Sequence, residues 1–175
     1  MFSPKGMDLE RGWPGRVDGE HVVQLAAQTL QAFFTGGGGA REHAVYALAD
    51  VDFRAPVLHP QGIRVFGDDG EFVFANTANV FGPHDDVDAT GLEHVDAVVA
   101  VIGANEAVGG YTTGVVWRAP DVRGVRTREH GLSLGAFVVT PDEHDGPRLD
   151  AERDLAARGT TLRAGELLVR PVGIS

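Results

Sequence analysis

The spacing of apolar residues changes near residue 50. Before it, Val22, Leu25, Ala26, Thr29, Leu30 and Phe33 fall near helical spacing, and the glycine run 36–39 stops the pattern. This predicts a helix over 22–34. Ahead of it, Gly15 to Gly19 reads as a turn from which Val17 enters a short strand. Ala44, Val45 and Leu48 share one side of a second short helix over 40–48. After residue 50 the apolar runs are short and bounded by Gly, Pro or Asp. Val51–Val57, Ile63–Phe66, Glu71–Phe74, Val95–Ile102, Tyr111–Trp117, Leu134–Thr140 and Glu166–Val169 read as strands. Pro56 and Pro60 confine the first of these to an edge or a strand end. Leu149–Ala157 is the one later helix, with Leu149, Arg153 and Ala156 near one side. The regular spacing predicts an α+β, mainly β chain: a barrel or rolled sheet over 56–175, with a small α/β lobe over 1–55 packed on it.

Composition narrows the function classes. The chain has 175 residues, enough for one domain with a real core, and 43% of them are hydrophobic. Its net charge of -10 opposes a phosphate backbone, so nucleic acid is not an expected partner. The absence of cysteine removes disulfides, zinc–thiolate sites and thiol nucleophiles. No run approaches the ~18 apolar residues of a membrane span. Residues 1–15 show no signal pattern, so a soluble cytoplasmic protein is expected. A single lysine, Lys5, beside abundant Arg and Ala fits a GC-rich bacterial genome. The glycine run 36–39 is followed by no Lys-Ser/Thr and is fed by no strand, so it reads as a flexible turn rather than a phosphate cradle.

Several strings, in order, carry a resemblance. They are Phe53-Arg54-Ala55-Pro56-Val57 with His59-Pro60, then Phe72-Val73-Phe74-Ala75-Asn76 with Gly82-Pro83. Ala100-Val101-Ile102-Gly103, Gly110-Tyr111-Thr112 and Trp117 follow, then Leu134-Gly135, Val139-Thr140-Pro141-Asp142-Glu143 and Gly159–Glu166. Together they resemble the fumarylacetoacetate hydrolase (FAH) superfamily, in its actinobacterial branch, from Gly12 to the end. The resemblance implies an FAH-like rolled, mixed β-barrel core, a homodimer, and a divalent cation acting on small β-diketo or 2-oxo acids. A hard cation takes oxygen donors; the family supplies them from a Glu-x-Glu pair on one strand and an Asp on a later one, and the metal stabilises an enolate.

This chain departs from the pattern at each ligand. Val95 and Ala97 stand where the two Glu are implied, and Val116 where the Asp is. The family's lid with its catalytic His is replaced by the tight turn Gly67-Asp68-Asp69-Gly70. The core is shortened near 147–150, and the closing Gly-Thr-rich loop becomes Arg170-Pro171-Val172-Gly173. With all three carboxylates gone, no unpaired charge is stranded. No cofactor or metal is therefore expected.

Other residues offer little to rebuild a metal site. Asp85-Asp86-Val87-Asp88 lacks the Gly and Glu of a calcium loop and reads as a solvated turn. Glu93 and Asp96 differ by three on a strand and face opposite sides. The histidines 21, 43, 59, 84, 94, 130 and 144 show no paired ligand spacing. Glu129 and His130 lie, with Arg126 and Arg128, where the family runs a Lys/Asp segment over its pocket mouth. They are the acid–base candidates, against the plainer reading of a polar loop. The expected substrate contacts are Phe72, Phe74, Asn76, Val95, Ala97, Tyr111, Val116, Trp117, Arg118 and Arg126. Arg118 would orient a carbonyl or carboxylate, or else form a surface ion pair; Tyr111 is equally a core tyrosine with a satisfied hydroxyl.

Small apolar replacements are expected to leave a cavity open. The resulting expectation is a metal-independent cyclase or isomerase, of cycloaddition or conjugate-addition type, tailoring a polyketide-like small molecule. The alternatives are a non-catalytic ligand-binding protein or partner subunit, and a metal-dependent hydrolase or decarboxylase of β-diketo or 2-oxo acids.

Overall fold

The two longest strands, β9 (Glu93–Ile102) and β10 (Val108–Arg118), pair antiparallel and form the centre of a seven-stranded sheet. The structure, a computed structural model, describes residues 1–67, 69–120 and 131–172. β12 (Leu167–Pro171) lies antiparallel on the other side of β9 and parallel to β6 (Ile63–Phe66), which pairs with β7 (Phe72–Phe74). Beyond β10 lie β11 (Gly131–Leu134), antiparallel, and β8 (Val80–Phe81), parallel to β11. The sheet curls into a half-barrel, so the chain is mainly β with few helical residues.

Alternation along the strands divides the core into two faces. Ala97, Val99 and Val101 of β9 point to one side with Val116, Leu132, Leu134, Ile63, Val65, Leu167 and Val169. Phe34 of the short helix α1 (Leu30–Thr35) packs into that cluster. Ala100 and Ile102 point the other way, with Tyr111, Phe66 and Leu168. Leu149 and Ala156, at the start and within α2 (Asp150–Ala157), cover this second face. A third cluster joins β1 (Phe2–Pro4) and β5 (Val51–Phe53), which pair, to a sheet of β2 (Gly15–Asp18), β3 (His21–Leu25) and β4 (Glu42–Ala47). Phe2 sits edge-on to Trp13 and Tyr46 within it.

Two expected helices are corrected. Residues 22–34 divide into strand β3 and the six-residue α1. Gly19, with φ of 57°, closes the β2–β3 hairpin, and the β-branched Val22 and Val23 are both buried in its strand. The helix starts only where the Thr29 hydroxyl accepts the Ala32 amide at 3.0 Å. Residues 42–47 form β4 instead of a helix, and Val45 is exposed instead of facing a core. The expected strand over 134–140 ends at Leu134, since it begins earlier, at Gly131; beyond it Val139 forms one isolated bridge to Tyr111. The turn after Phe66 is a hairpin as expected, with Phe72 opposite Phe66 and the Gly67 amide bonded to the Glu71 carbonyl at 2.8 Å.

The β9–β10 connection is equally tight. Asn105 and Glu106 both take left-handed conformations, with φ of 54° and 59°, and the Ala107 amide bonds the Ala104 carbonyl. Glu106 reaches across to accept the Leu162 amide at 3.3 Å, tying this turn to the segment before β12. Gly114, in the middle of β10, has no room for a side chain: a Cβ there would lie 2.7 Å from Val99 Cγ2 and 3.3 Å from the Ser133 carbonyl oxygen. Gly114→Ala is therefore expected to lower stability by about 1–3 kcal/mol in urea unfolding, with the midpoint moved and the slope unchanged.

Candidate functional site

The β9–β10 register places the three positions of the implied ligand set together. Val116 lies directly across from Val95, and Gly114 directly across from Ala97. Leu132 faces Val116 from β11. Paired residues share a face, so Val95, Ala97 and Val116 converge on the side that α1 covers. Ala97 and Val116 are 4% and 2% exposed and belong to the core cluster there, while Val95 is half-buried. At the strand ends Arg118 lies across from Glu93, with its Nη2 4.0 Å from the carboxylate. The Arg118 Nε is buried without a hydrogen-bond partner among the described residues.

The expected pocket lining does not hold together. Phe72 and Phe74 pair with Phe66 and Arg64, on the face opposite Ala97 and Val116. Trp117 also points away from Val116, its immediate neighbour in an extended strand. Its Nε1 donates to Ser133 Oγ at 2.8 Å, and its ring lies 5.8 Å from that of His94. Tyr111 is a core residue: its hydroxyl accepts the Leu149 amide at 3.3 Å, and its ring stacks on His144 at 4.2 Å. Asn76 is exposed and caps a local turn by accepting the Ala78 amide. One strand cannot aim adjacent residues at one ligand. Arg126, Glu129 and His130 lie outside the described residues. The acidic run 85–88 is used in turns, where Asp85 accepts the Gly82 amide and Asp88 the Thr90 amide. The Thr90 bonds hold the Asp88 carboxyl below its ordinary range.

Sequence reasoning missed a buried ion pair. Arg64 and Glu166 meet at 3.0 Å with side chains 3% and 8% exposed. Arg64 also donates to Thr160 Oγ1 at 2.7 Å and to the Ala156 carbonyl at 3.1 Å, and lies 5.3 Å from the centroids of both Phe72 and Phe74. The pair joins β6 to the end of α2 and the start of β12. The signal was one arginine in the otherwise apolar Ile63–Phe66, but its partner is 102 residues away.

Solved structures share this arrangement of strands. Maleylpyruvate hydrolase from Sphingobium sp. SYK-6 superposes with a TM-score of 0.71 at 16% identity, covering 98% of this chain and 88% of the other. 2-Keto-3-deoxy-D-arabinonate dehydratase, complexed with magnesium and 2,5-dioxopentanoate, superposes with a TM-score of 0.74 at 13% identity, over 95% of this chain and 86% of the other. Both are FAH-superfamily members. The chain has the fumarylacetoacetate hydrolase fold. No family profile matches its sequence, and no curated protein sequence does.

The FAH fold brings a cation into question. The dehydratase complex holds magnesium, and a further complex of the maleylpyruvate hydrolase, at 18% identity and a TM-score of 0.70 over 93% of this chain and 88% of the other, holds manganese and pyruvate. The residues here do not fit such an ion. Val95, Ala97 and Val116 offer carbon where the resemblance implies carboxylate oxygen, and a hard cation gains nothing from it. Among the described residues no three His, Asp or Glu side chains group to hold a metal.

A cavity of about 60 Å³ lies elsewhere, lined in part by Met1, Arg11, Thr29, Gln31, Leu58 and His59. The Gln31 amide donates to the His59 carbonyl at 3.1 Å, and His59 Nε2 lies 3.6 Å from Glu10. Burial pushes the Met1 amine down from 8.0 to about 6.

Two outcomes follow from these groups. Glu166→Gln leaves the Arg64 charge buried without its counter-ion and is expected to cost about 3–5 kcal/mol in urea unfolding, whereas a double replacement by apolar residues of similar volume costs less. The Met1 amine binds fewer protons folded than unfolded between about pH 6 and 8. Stability therefore rises with pH through that window, by about 2–3 kcal/mol in total, and this contribution is lost below it. Urea titrations at several pH values read the rise, and N-terminal acetylation removes it.

Proposed function

We propose that this chain is a metal-independent enzyme of the FAH fold, acting on a small, largely apolar molecule at the open end of the β9–β10 face. The observation that carries this reading is the hydrocarbon at Val95, Ala97 and Val116, which meet on one face. Val95 and Arg118 are only partly buried, so a substrate body can rest on the first while the second polarises a carbonyl. Reactions limited by orientation and by one developing negative charge suit such a site. A cyclisation of cycloaddition or conjugate-addition type, or an isomerisation, in the tailoring of a polyketide-like product is the activity proposed. A cytoplasmic homodimer taking a small-molecule substrate is part of the same reading.

One observation favours a second reading. Ala97 and Val116 are packed into the core cluster instead of lining a wide pocket. A non-catalytic ligand-binding protein, or a structural partner of an active subunit, would need no more than that.

The test is turnover of linear polyene and β-dicarbonyl compounds by protein treated with EDTA. The enzyme reading expects a cyclised or isomerised product at a rate unchanged by EDTA, and Arg118→Gln is expected to lower kcat/KM by roughly 10–100-fold without unfolding. Uncatalysed rates throughout would favour the binding protein. Hydrolysis or decarboxylation abolished by EDTA would overturn both readings.

A further inference from the structure

The 60 Å³ cavity is lined by none of Val95, Ala97, Val116 and Arg118, though its Ala55 belongs to the same core cluster as Ala97 and Val116. Its lining runs against the charge of the whole chain. In a protein of net charge -10, none of the residues lining this cavity is acidic, while Arg11 and His59 are basic residue types. Arg11 makes no ion pair or hydrogen bond among the described residues. The Thr29 oxygen already accepts the Ala32 amide, which leaves its O–H to donate. Gln31 uses one amide hydrogen on the His59 carbonyl and keeps the other. The remaining wall is apolar and includes Leu58 and the Met1 side chain. Unspent donors, a free guanidinium and hydrocarbon in one lining suit an anion with a short carbon tail. One water needs about 10–15 Å³ of such space, so this volume admits a solute larger than one water.

We propose that this cavity binds a small monocarboxylate of the size of acetate or propionate, its oxygens held by the Arg11 guanidinium with the Thr29 hydroxyl and Gln31 amide, and its carbon tail against Leu58. Guanidinium and carboxylate match in geometry, and the bond is charge-assisted. His59 stands at the edge, balanced by Glu10 outside.

The experiment is a titration of the full-length protein with sodium propionate, followed by backbone amide NMR. Saturable shifts are expected at Thr29, Gln31 and His59, with propionamide and sodium chloride at equal concentration leaving those resonances in place. Arg11→Gln is expected to weaken propionate binding about tenfold or more, while Arg16→Gln, at a residue that does not line the cavity, leaves it unchanged. The spectrum of each variant shows whether it is folded. Equal shifts from propionamide would mean a merely apolar pocket, and equal shifts from chloride a non-selective cation; either overturns the proposal. So does the absence of saturable shifts in the native protein, which needs no variant to observe.

Discussion

The pairing of β9 with β10 is the constraint on which the rest depends. Its register sets Val95 against Val116 and Ala97 against Gly114, and so decides what chemistry one face of the curled sheet can do. The same register holds Val99, Ala100, Val101 and Ile102 almost fully out of water, which makes this ladder the middle of both large core clusters. Hydrocarbon at Ala97 and Val116 makes these positions part of the core. A cation-binding face needs desolvated carboxylates, each of which burdens the fold when the ion is absent. Valine and alanine there carry no such burden.

Among the described residues, an ion pair is buried on the opposite face of the sheet. Arg64 and Glu166 lie on the far side of the sheet, bonded to each other, to Thr160 and to the end of α2. The region before β12 is thus held by an ion pair and by the Glu106 contact to Leu162. These polar ties act where the hairpins are tightest, at the ends of β6 and β9. They fix how α2 lies on the sheet, and thereby the packing of Leu149, Ala156 and Leu162 over Tyr111 and Leu168.

Five strands of the half-barrel, β6, β7, β9, β10 and β12, were legible as short apolar runs closed by Gly, Pro or Asp, whereas β8 was not expected and β11 was expected over 134–140. Ile63–Phe66 agrees end for end, and β9, β10 and β12 differ only at their margins. The N-terminal region was misread for a physical reason. Val22 and Leu30 stand at helix-like spacing because a strand and a short helix follow each other, not because one helix continues. That Val95, Ala97 and Val116 share one face follows from their spacing and strand pairing. The pocket was not legible. Phe72, Phe74, Tyr111 and Trp117 are near those residues in sequence order or strand, yet the two-residue period of extended chain turns them to the other face. The 60 Å³ cavity could not be read at all, because Arg11, Gln31 and His59 meet only through the tertiary fold.

The central claim is that the β9–β10 face holds no divalent ion. Manganese broadens NMR signals of nearby nuclei, so methyl spectra of the protein during a Mn²⁺ titration test it directly. The methyl resonances of Val95, Ala97 and Val116 are expected to stay sharp, with any broadening confined to exposed acidic turns. Selective loss of those three signals at substoichiometric manganese would contradict the claim.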